Sequence, residues 1–234
     1  MTLVDLTQPL GPETPLWPGA SRFEATDTAS VATDGYYERV ISFPEHIGTH
    51  MDAPAHFAAD GATVDEIPAE RLVLDAYVFD ACAAAAADPD FALDRSALDS
   101  FEADNGRIAA GSAVLLRTGW DARRHDRLRY YGGASAEDHR FPGFGLSAAE
   151  RLVERGVVGI GTDTPSVDPG ACAGFPVHGL TMAAGLWHLE GLVNLASLPC
   201  AGVRLFIGVL PLVGGSGAPA RVIALAPDNG GPNV

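Results

Sequence analysis

A run of eleven residues at positions 46–56, HIGTHMDAPAH, constrains the fold of this chain more than any other segment. It holds three histidines and an aspartate, although the whole 234-residue chain has only seven histidines. The spacing of four between His46 and His50 matches one face of a helix, but Gly48 and Pro54 argue against a continuous helix. We therefore predict a strand that runs into Gly48 and then turns into a short helix, with the polar side chains gathered at the junction.

The side chains of this run are those that bind divalent metal ions. Imidazole nitrogens and carboxylate oxygens are preferred ligands of zinc, manganese and ferrous iron. Asp52 follows His50 by two residues and can reach the same ion from the turn. A structural role in a turn would account for a single histidine, but not for four ligand-type residues packed this closely. We interpret the run as a metal-binding segment.

Other histidines and aspartates have surroundings that do not point to catalysis. His125 and His139 are flanked by charged residues, which predicts a solvated loop for both. His188 stands next to apolar residues, which predicts a position in the core or near the site. Asp163 and Asp168 lie close to prolines, and we interpret them as turn-shaping residues rather than as a catalytic pair.

Charge and composition exclude several classes of protein. Thirty acidic residues against fifteen basic residues give a net charge of −15, which repels nucleic acids and anionic membranes. No run is long and apolar enough to span a bilayer, and the N-terminus lacks the pattern of a secretory signal. Three cysteines without a CxxC pair fit a reducing compartment. We therefore expect a cytoplasmic protein, folded as one domain over residues 1–234, without a nucleic-acid or membrane partner.

The pattern of apolar residues predicts strands with a few helices between them. Short β-branched and aromatic runs predict strands at residues 3–6, 36–43, 72–79, 113–117, 157–160, 203–210 and 222–225. Ser147 and Glu150 form a capping box that predicts a helix start, and Gly156 predicts its end. A second helix is predicted at 96–102, and the alanine run at 83–87 as a loop or the start of a helix. Because strands and helices do not alternate strictly, a mixed α/β or α+β domain is expected.

Five motifs, in order along nearly the whole chain, resemble those of the cyclase family of metal-dependent hydrolases, which includes kynurenine formamidases and isatin hydrolases. The run at 46–56 resembles the family signature HxGTHxDxPxH. PLWPG at 15–19 is similar to an N-terminal WPG element, and GTDTPSVDPG at 161–170 to a central GxDTxSxDxG segment. His178 and Glu190, twelve residues apart, resemble a second metal-side segment. GGSGAPAR at 214–221 is similar to a C-terminal GGxGxPxR turn.

The resemblance implies a set of metal ligands. His46, His50 and Asp52 correspond to the ligands of a first ion. In formamidase-like members His178 and Glu190 complete the site, where Asp52 and Glu190 are able to bridge two ions. The implied cofactor is a divalent ion, zinc or manganese, with one or two ions per subunit.

The resemblance also implies further roles and a fold. His56 corresponds to the general acid/base, and Trp17 to an aromatic residue that lines the substrate pocket. The family fold is a single compact α/β domain of the swivelling β/β/α type, in which a mixed sheet is flanked by helices. Its members usually form dimers or tetramers, so a homodimer or homotetramer is expected.

Together these expectations lead to a hydrolase of a C–N bond in a small amide, arylformamide or lactam. A divalent metal lowers the pKa of a bound water to about 7, and a nearby histidine can pass the proton to the leaving nitrogen. The flat apolar face of Trp17 suits an aromatic or planar substrate. One alternative is a non-hydrolytic metal-dependent cyclase or dehydratase of specialised metabolism. Another is a metal-binding protein without turnover, against which the presence of His56 and Trp17 argues.

Two further features bear on the substrate and the mechanism. The segment 123–144, rich in arginine, tyrosine and glycine, is predicted to be a lid or insertion that shapes the pocket. N-formylkynurenine is therefore not assumed to be the native substrate. The GxSxG motif of serine hydrolases is missing, which argues against a serine nucleophile.

Overall fold

The computed structural model describes residues 1–135 and 138–227 of the chain, so the end of the predicted 1–234 domain lies outside the described residues. The strands in these ranges are β1 Thr2–Asp5, β2 Glu24–Ala29, β3 Glu38–Ser42, β4 His50–Asp52, β5 Val73–Asp80, β6 Ala92–Leu93, β7 Ala113–Arg117, β8 Gly143–Phe144, β9 Gly159–Thr162, β10 Trp187–Glu190, β11 Val203–Val209 and β12 Gly217–Ala226. The α-helices are α1 Val31–Asp34, α2 Cys82–Ala87, α3 Arg95–Asn105, α4 Arg127–Tyr131, α5 Leu146–Arg155 and α6 Pro176–Ala183.

Seven of the strands form a closed barrel. Their order is β12, β11, β5, β7, β9, β10 and β4, and β4 pairs again with β12 to close the ring. The strands β5, β7, β9 and β10 run parallel, whereas the other pairs are antiparallel, and β1 extends the sheet from β12. The expected mixed α/β architecture is confirmed, but the sequence did not predict that the sheet closes. The swivelling β/β/α arrangement stays a prediction.

Alternate side chains of the barrel strands form one apolar core. Met51 of β4, Leu115 of β7 and Trp187 of β10 belong to it, and each is fully buried. Complete burial of a Leu or Met side chain contributes about 1.5–3 kcal/mol to stability. The residue of β9 that lies beside Trp187 is Gly159, where a Cβ atom would clash with the Trp187 ring. Only glycine therefore leaves room for the indole.

Helices cover the opposite face of the sheet. Leu98 of α3, Leu152 of α5 and Val177 of α6 pack in a second apolar cluster that also contains Val114 and Ile160 of the sheet. This packing places α6 above the neighbouring strands β9 and β10. As a result, side chains of β10 that point away from the barrel core face α6.

Both predicted helices exist, but the predicted capping box is wrong. The helix α5 begins after Gly145, so Ser147 lies inside its first turn, where its hydroxyl accepts a hydrogen bond from the Arg95 N–H at 3.3 Å. Gly156 ends α5 in the left-handed conformation at φ 71°, as predicted. The helix predicted at 96–102 is α3, whose N-terminal N–H groups are capped by the Asp94 carboxylate.

Each predicted strand has a counterpart within a few residues. The strands β2, β4, β6, β8 and β10 were not predicted, and all of these but β2 have only two to four residues. The predicted strand running into Gly48 is wrong, because residues 43–49 are irregular and β4 begins after them at His50. The helices α1, α4 and α6 were also missed. The alanine run at 83–87 lies in α2, which agrees with the predicted helix start.

The second half of the described part of segment 123–144 packs against the domain. Tyr130, Tyr131 and Phe141 form a third apolar cluster with Trp120. The prediction of a solvated loop is confirmed for His125, which is exposed, and wrong for His139, which is 2% exposed. The neighbouring charged residues point outward while the His139 ring packs inward, a distinction that local composition does not reveal.

Two further features complete the fold. In the part of the chain that the structure describes, the strands β2 and β3 pair with each other alone, as a two-stranded hairpin outside the barrel. Among the helices in the described ranges, none has the length and apolar character needed to cross a bilayer.

Candidate active site

Two adjacent strands supply the centre of the site. In the antiparallel pair β4 and β10, Glu190 lies opposite His50, and His188 lies opposite Asp52. Because side chains alternate along a strand, Met51 and Leu189 enter the barrel core while these four polar residues share the other face. His50 Nε2 is 3.1 Å from Asp52 Oδ1 and 3.5 Å from Glu190 Oε2. The strand pairing thus places two carboxylates beside one imidazole.

The other two predicted ligands reach the same point from outside this strand pair. His46, just before the Gly48 turn, places Nδ1 2.6 Å from Asp52 Oδ1. His178, on α6, places Nε2 3.5 Å from Asp52 Oδ2 and 3.4 Å from Glu190 Oε1. All five residues expected to bind metal therefore meet in one cluster.

In His46, His50 and His178, the ring nitrogen that points away from Asp52 and Glu190 makes a hydrogen bond. His50 Nδ1 donates to the Gly48 carbonyl oxygen at 3.0 Å, and His178 Nδ1 donates to Asp168 Oδ2 at 2.6 Å. The Ser216 hydroxyl donates to Glu45, and it therefore accepts from His46 Nε2 at 2.9 Å. The remaining nitrogens face the carboxylates, which is the arrangement typical of metal-binding histidines.

The electrostatics of the cluster also fit a cation. Asp52 and Glu190 are 1% and 5% exposed, and all ion pairs of these two carboxylates within the described ranges are with histidine. Burial raises the pKa of Asp52, but the charge of His50 and hydrogen bonds from His178 and His46 outweigh it and hold the pKa well below its usual range. Burial lowers the pKa of His50, but Asp52 and Glu190 outweigh it and raise the pKa to about 9. Buried carboxylates need such compensation, and nitrogen with carboxylate ligands is the donor set of a divalent ion.

His56 lies beside the cluster, at the end of a 3₁₀ turn formed by Pro54–His56. Its ring stacks on His46 with 4.0 Å between the ring centroids, and one of its nitrogens lies within 4.8 Å of ligand atoms of His46 and Asp52. Loss of contact with water lowers the pKa of His56 to about 4, helped by the neighbouring histidines and opposed by Asp52. At neutral pH this imidazole is therefore uncharged.

A cavity of about 290 Å³ opens directly onto these residues. Its floor is polar and consists of His46, His50, Asp52, His56, His178 and Glu190. Its walls include the aromatic rings of Trp17, Phe57, Tyr131 and Phe175. Trp17 is half-buried and packs edge-on against Tyr131, with 5.6 Å between the ring centroids. The structure thus brings Trp17 to the wall of the cavity whose floor holds the predicted ligands.

Several residues of the site were not identified from the sequence. The interpretation of Asp168 as a turn-shaping residue is incomplete, because its buried carboxylate accepts hydrogen bonds from the N–H groups of Val177 and His178 and from the His178 ring. The Asp163 carboxylate instead accepts bonds from Thr118 and the Gly119 N–H, away from the cluster. Nothing in the sequence marked Phe57 or Phe175 as wall residues, since isolated aromatic residues carry no motif.

Comparison with known proteins agrees with this geometry. The family model described as "Putative cyclase" matches residues 4–169. An isatin hydrolase from Roseibium aggregatum is 33% identical over 96% of this chain and 92% of its own length. A kynurenine formamidase from Salinibacter ruber is 31% identical over 97% of this chain and all of its own length.

The fold comparison leads to the same group of proteins. The crystal structure of an isatin hydrolase bound to the product analogue thioisatinate superposes with a TM-score of 0.91, at 33% identity over 97% of this chain and 92% of the other. At this TM-score the two chains share the same fold over nearly their full length. The chain belongs to the cyclase family, and it is a metal-dependent hydrolase of C–N bonds other than peptide bonds.

Proposed function

We propose that this enzyme hydrolyses the C–N bond of a small planar aryl amide, either an aromatic lactam such as isatin or an arylformamide such as N-formylkynurenine. The observation that carries the proposal is the aromatic-walled cavity lying directly on the histidine and carboxylate cluster. The similarity to isatin hydrolases supports the lactam, and the similarity to kynurenine formamidases supports the arylformamide. A non-hydrolytic cyclase or dehydratase is not favoured, because these relatives are hydrolases.

In this proposal His46, His50, Asp52, His178 and Glu190 hold one or two zinc or manganese ions. A divalent ion held there supplies Lewis acidity and makes water a stronger acid. The hydrogen bond from His178 to Asp168 keeps that ring oriented toward the carboxylates. The fixed positions of these side chains mean that little reorganisation is needed when the substrate enters.

His56 acts as the general acid/base. Its imidazole is neutral at neutral pH, so a ring nitrogen can take the proton of the attacking water. The same proton then passes to the nitrogen of the amide as the C–N bond breaks. Transfer of this kind contributes about a hundred- to ten-thousandfold to the rate of such reactions.

Trp17, Phe57 and Phe175 hold the flat part of the substrate. The rings of Phe57 and Phe175 are 5.6 Å apart, and those of Trp17 and Phe175 are 6.0 Å apart, measured between centroids. Aromatic pairs at these distances favour a planar ring placed against them. The apolar walls also exclude bulk water, which strengthens the electrostatic interactions at the polar floor.

The test of this proposal is turnover of isatin and of N-formylkynurenine by protein stripped of metal with a chelator. Addition of zinc or manganese is expected to restore hydrolysis of at least one of the two, with a kcat on the order of 1 per second or more. The relative rates show which of the two metals supports faster hydrolysis and which of the two substrates is hydrolysed faster. Stoichiometric metal binding without hydrolysis of either compound would contradict the substrate class, and absence of metal binding would contradict the site.

We also propose that the enzyme is a cytoplasmic homodimer or homotetramer. The three cysteines are unpaired in the fold, which supports a reducing compartment. The hairpin β2–β3 supports the oligomer, because Tyr37, Val40 and Ile41 on it are 57%, 63% and 42% exposed. An isolated two-stranded hairpin is only marginally stable in water, and a second copy of the chain would cover its apolar side chains.

Light scattering of the protein in solution tests the assembly. The wild type is expected to have the mass of a dimer or tetramer, and the double substitution Val40→Asp and Ile41→Asp to shift it to a monomer. Leu128→Asp is the matched control, because Leu128 is 56% exposed on α4 and away from the hairpin. A wild-type monomer at micromolar concentration, or an assembly that survives the double substitution, would contradict the proposal.

A further inference from the structure

His188 is buried beside the cluster, as its apolar surroundings predicted, but the family motifs give it no role. It is 0% exposed, and it lies on β10 directly opposite Asp52 and on the same face as Glu190. Its Nδ1 atom is 3.9 Å from Asp52 Oδ2. We propose that His188 Nδ1 is a fourth ligand of one cation position, together with Asp52, His178 and Glu190. The inference rests on the proposed metal site and extends it by one residue.

The hydrogen bonds of Thr181 determine which nitrogen of His188 carries the proton. The Thr181 hydroxyl has one hydrogen, which it donates to the Val177 carbonyl oxygen at 2.7 Å. The same oxygen lies 2.7 Å from His188 Nε2, and it must therefore accept a hydrogen bond from that nitrogen. Nδ1 is then left with its lone pair directed toward the carboxylates, which is the form of histidine that binds metals.

No hydrogen-bond partner for this lone pair exists in the described part of the chain. His188 Nδ1 is one of the few buried side-chain atoms there without a partner. A buried polar atom left unpaired destabilises a protein by about 1–3 kcal/mol. A cation at this point would satisfy the lone pair and remove that penalty.

The distances match a single coordination sphere. Ligand atoms of Asp52, His178, His188 and Glu190 all lie within 4.8 Å of one another. Tetrahedral ligands at zinc distances are roughly 3.4 Å apart. The measured separations are 3.4 Å from His178 Nε2 to Glu190 Oε1, 3.5 Å from the same nitrogen to Asp52 Oδ2, and 3.9 Å from His188 Nδ1 to Asp52 Oδ2.

The two carboxylates divide the four imidazoles into two pairs. Asp52 Oδ1 faces His46 and His50, whereas Asp52 Oδ2 faces His178 and His188. Glu190 repeats the division, with Oε2 toward His50 and Oε1 toward His178. His188 therefore gives the Oδ2 side of Asp52 two imidazoles, as His46 and His50 give its Oδ1 side two.

Nuclear magnetic resonance of the wild-type protein tests the ligand directly. Protein labelled with ¹⁵N-histidine is stripped of metal and then loaded with ¹¹³Cd²⁺. We expect a one-bond ¹¹³Cd–¹⁵N coupling to Nδ1 of His188, while its Nε2 keeps the proton donated to Thr181. His188→Asn identifies the signal by its loss. Cadmium-loaded protein in which His188 Nδ1 shows no coupling would overturn the proposal.

Metal binding by variants provides an independent measurement. Loss of a residue that only orients a ligand weakens metal binding by about 10–100-fold, so loss of a direct ligand is expected to weaken one zinc ion by at least about 100-fold. We expect this in His188→Leu, titrated with zinc and checked for folding by circular dichroism. His139→Leu is the matched control, since His139 is also buried but lies outside the cluster. Zinc affinity and stoichiometry equal to the wild type in a folded His188→Leu would contradict a ligand role.

The two experiments distinguish failure of the His188 ligand assignment from failure of the proposed function. Cadmium coupling to His188 without turnover of either aryl amide would support the ligand and reject the substrate class. Zinc-dependent turnover with an uncoupled His188 would reject the ligand alone. If His188→Leu does not fold, the wild-type coupling decides the question.

Discussion

Asp52→Ala is expected to abolish metal binding and hydrolysis together. Asp52 is the centre of the cluster, with Oδ1 2.6 Å from His46 Nδ1 and Oδ2 3.5 Å from His178 Nε2. Its removal takes away the carboxylate that faces every imidazole of the site and halves the negative charge available to a cation. We expect metal affinity to fall by at least about 100-fold and turnover to fall to the background rate. Metal content after equilibration with zinc, and hydrolysis of the aryl amides, are the measurements.

Asp52→Asn is the matched variant for this prediction. It keeps the size of the side chain and one oxygen ligand but removes the charge, so its metal affinity is expected to lie between those of the wild type and Asp52→Ala. This order separates the loss of charge from the loss of side-chain volume. An Asp52→Ala protein that retains its full metal content would contradict the assignment of Asp52 as a ligand.

His56→Ala is expected to keep the metal and to lose turnover by about a hundred- to ten-thousandfold. The imidazole lines the cavity and stacks on His46, but its role in the proposed reaction is to move a proton. The loss should therefore appear in kcat while the zinc content stays at the wild-type value. His56→Gln, which keeps polar atoms but cannot shuttle a proton, is expected to be as slow as His56→Ala.

The opposite result for His56 is informative because its nitrogen lies close to ligand atoms of His46 and Asp52. If His56→Ala loses metal in proportion to its loss of activity, then His56 is a ligand and the acid/base assignment is wrong. Metal titration and kcat on the same preparation distinguish the two roles.

The sequence was most informative where ligands are close in the chain. The run at 46–56 predicted the short helical turn and the gathering of His46, His50 and Asp52, because turns and buried polar positions rarely require so many ligand-type residues at such a tight spacing. The strand was predicted on the wrong side of Gly48, since β4 begins after it at His50. His178 and Glu190 followed from the resemblance to a family, and the structure brings them to the same point. The mixed sheet was predicted from its longer strands, whose apolar runs are clear.

The remaining features depend on contacts between distant segments. His188 and Asp168 are ordinary residues in the sequence, and only the pairing of β10 with β4 and the packing of α6 bring them to the cluster. His139 was assigned to solvent because its neighbours are charged, yet its ring packs under Trp17 with 4.7 Å between centroids. Barrel closure was missed because it depends on the short strand β4, whose sequence is too polar to read as a buried strand.

The pairing of β4 with both β10 and β12 links the metal site to the integrity of the barrel. The strand that closes the barrel, β4, has three residues, and two of them, His50 and Asp52, are candidate ligands. An ion bound by these residues and by Glu190 would cross-link β4 to β10, in addition to the backbone hydrogen bonds between the two strands. Binding that favours the closed ring over an opened one stabilises the fold by mass action. We therefore expect that removal of the metal lowers the free energy of unfolding and increases opening of the barrel along this edge.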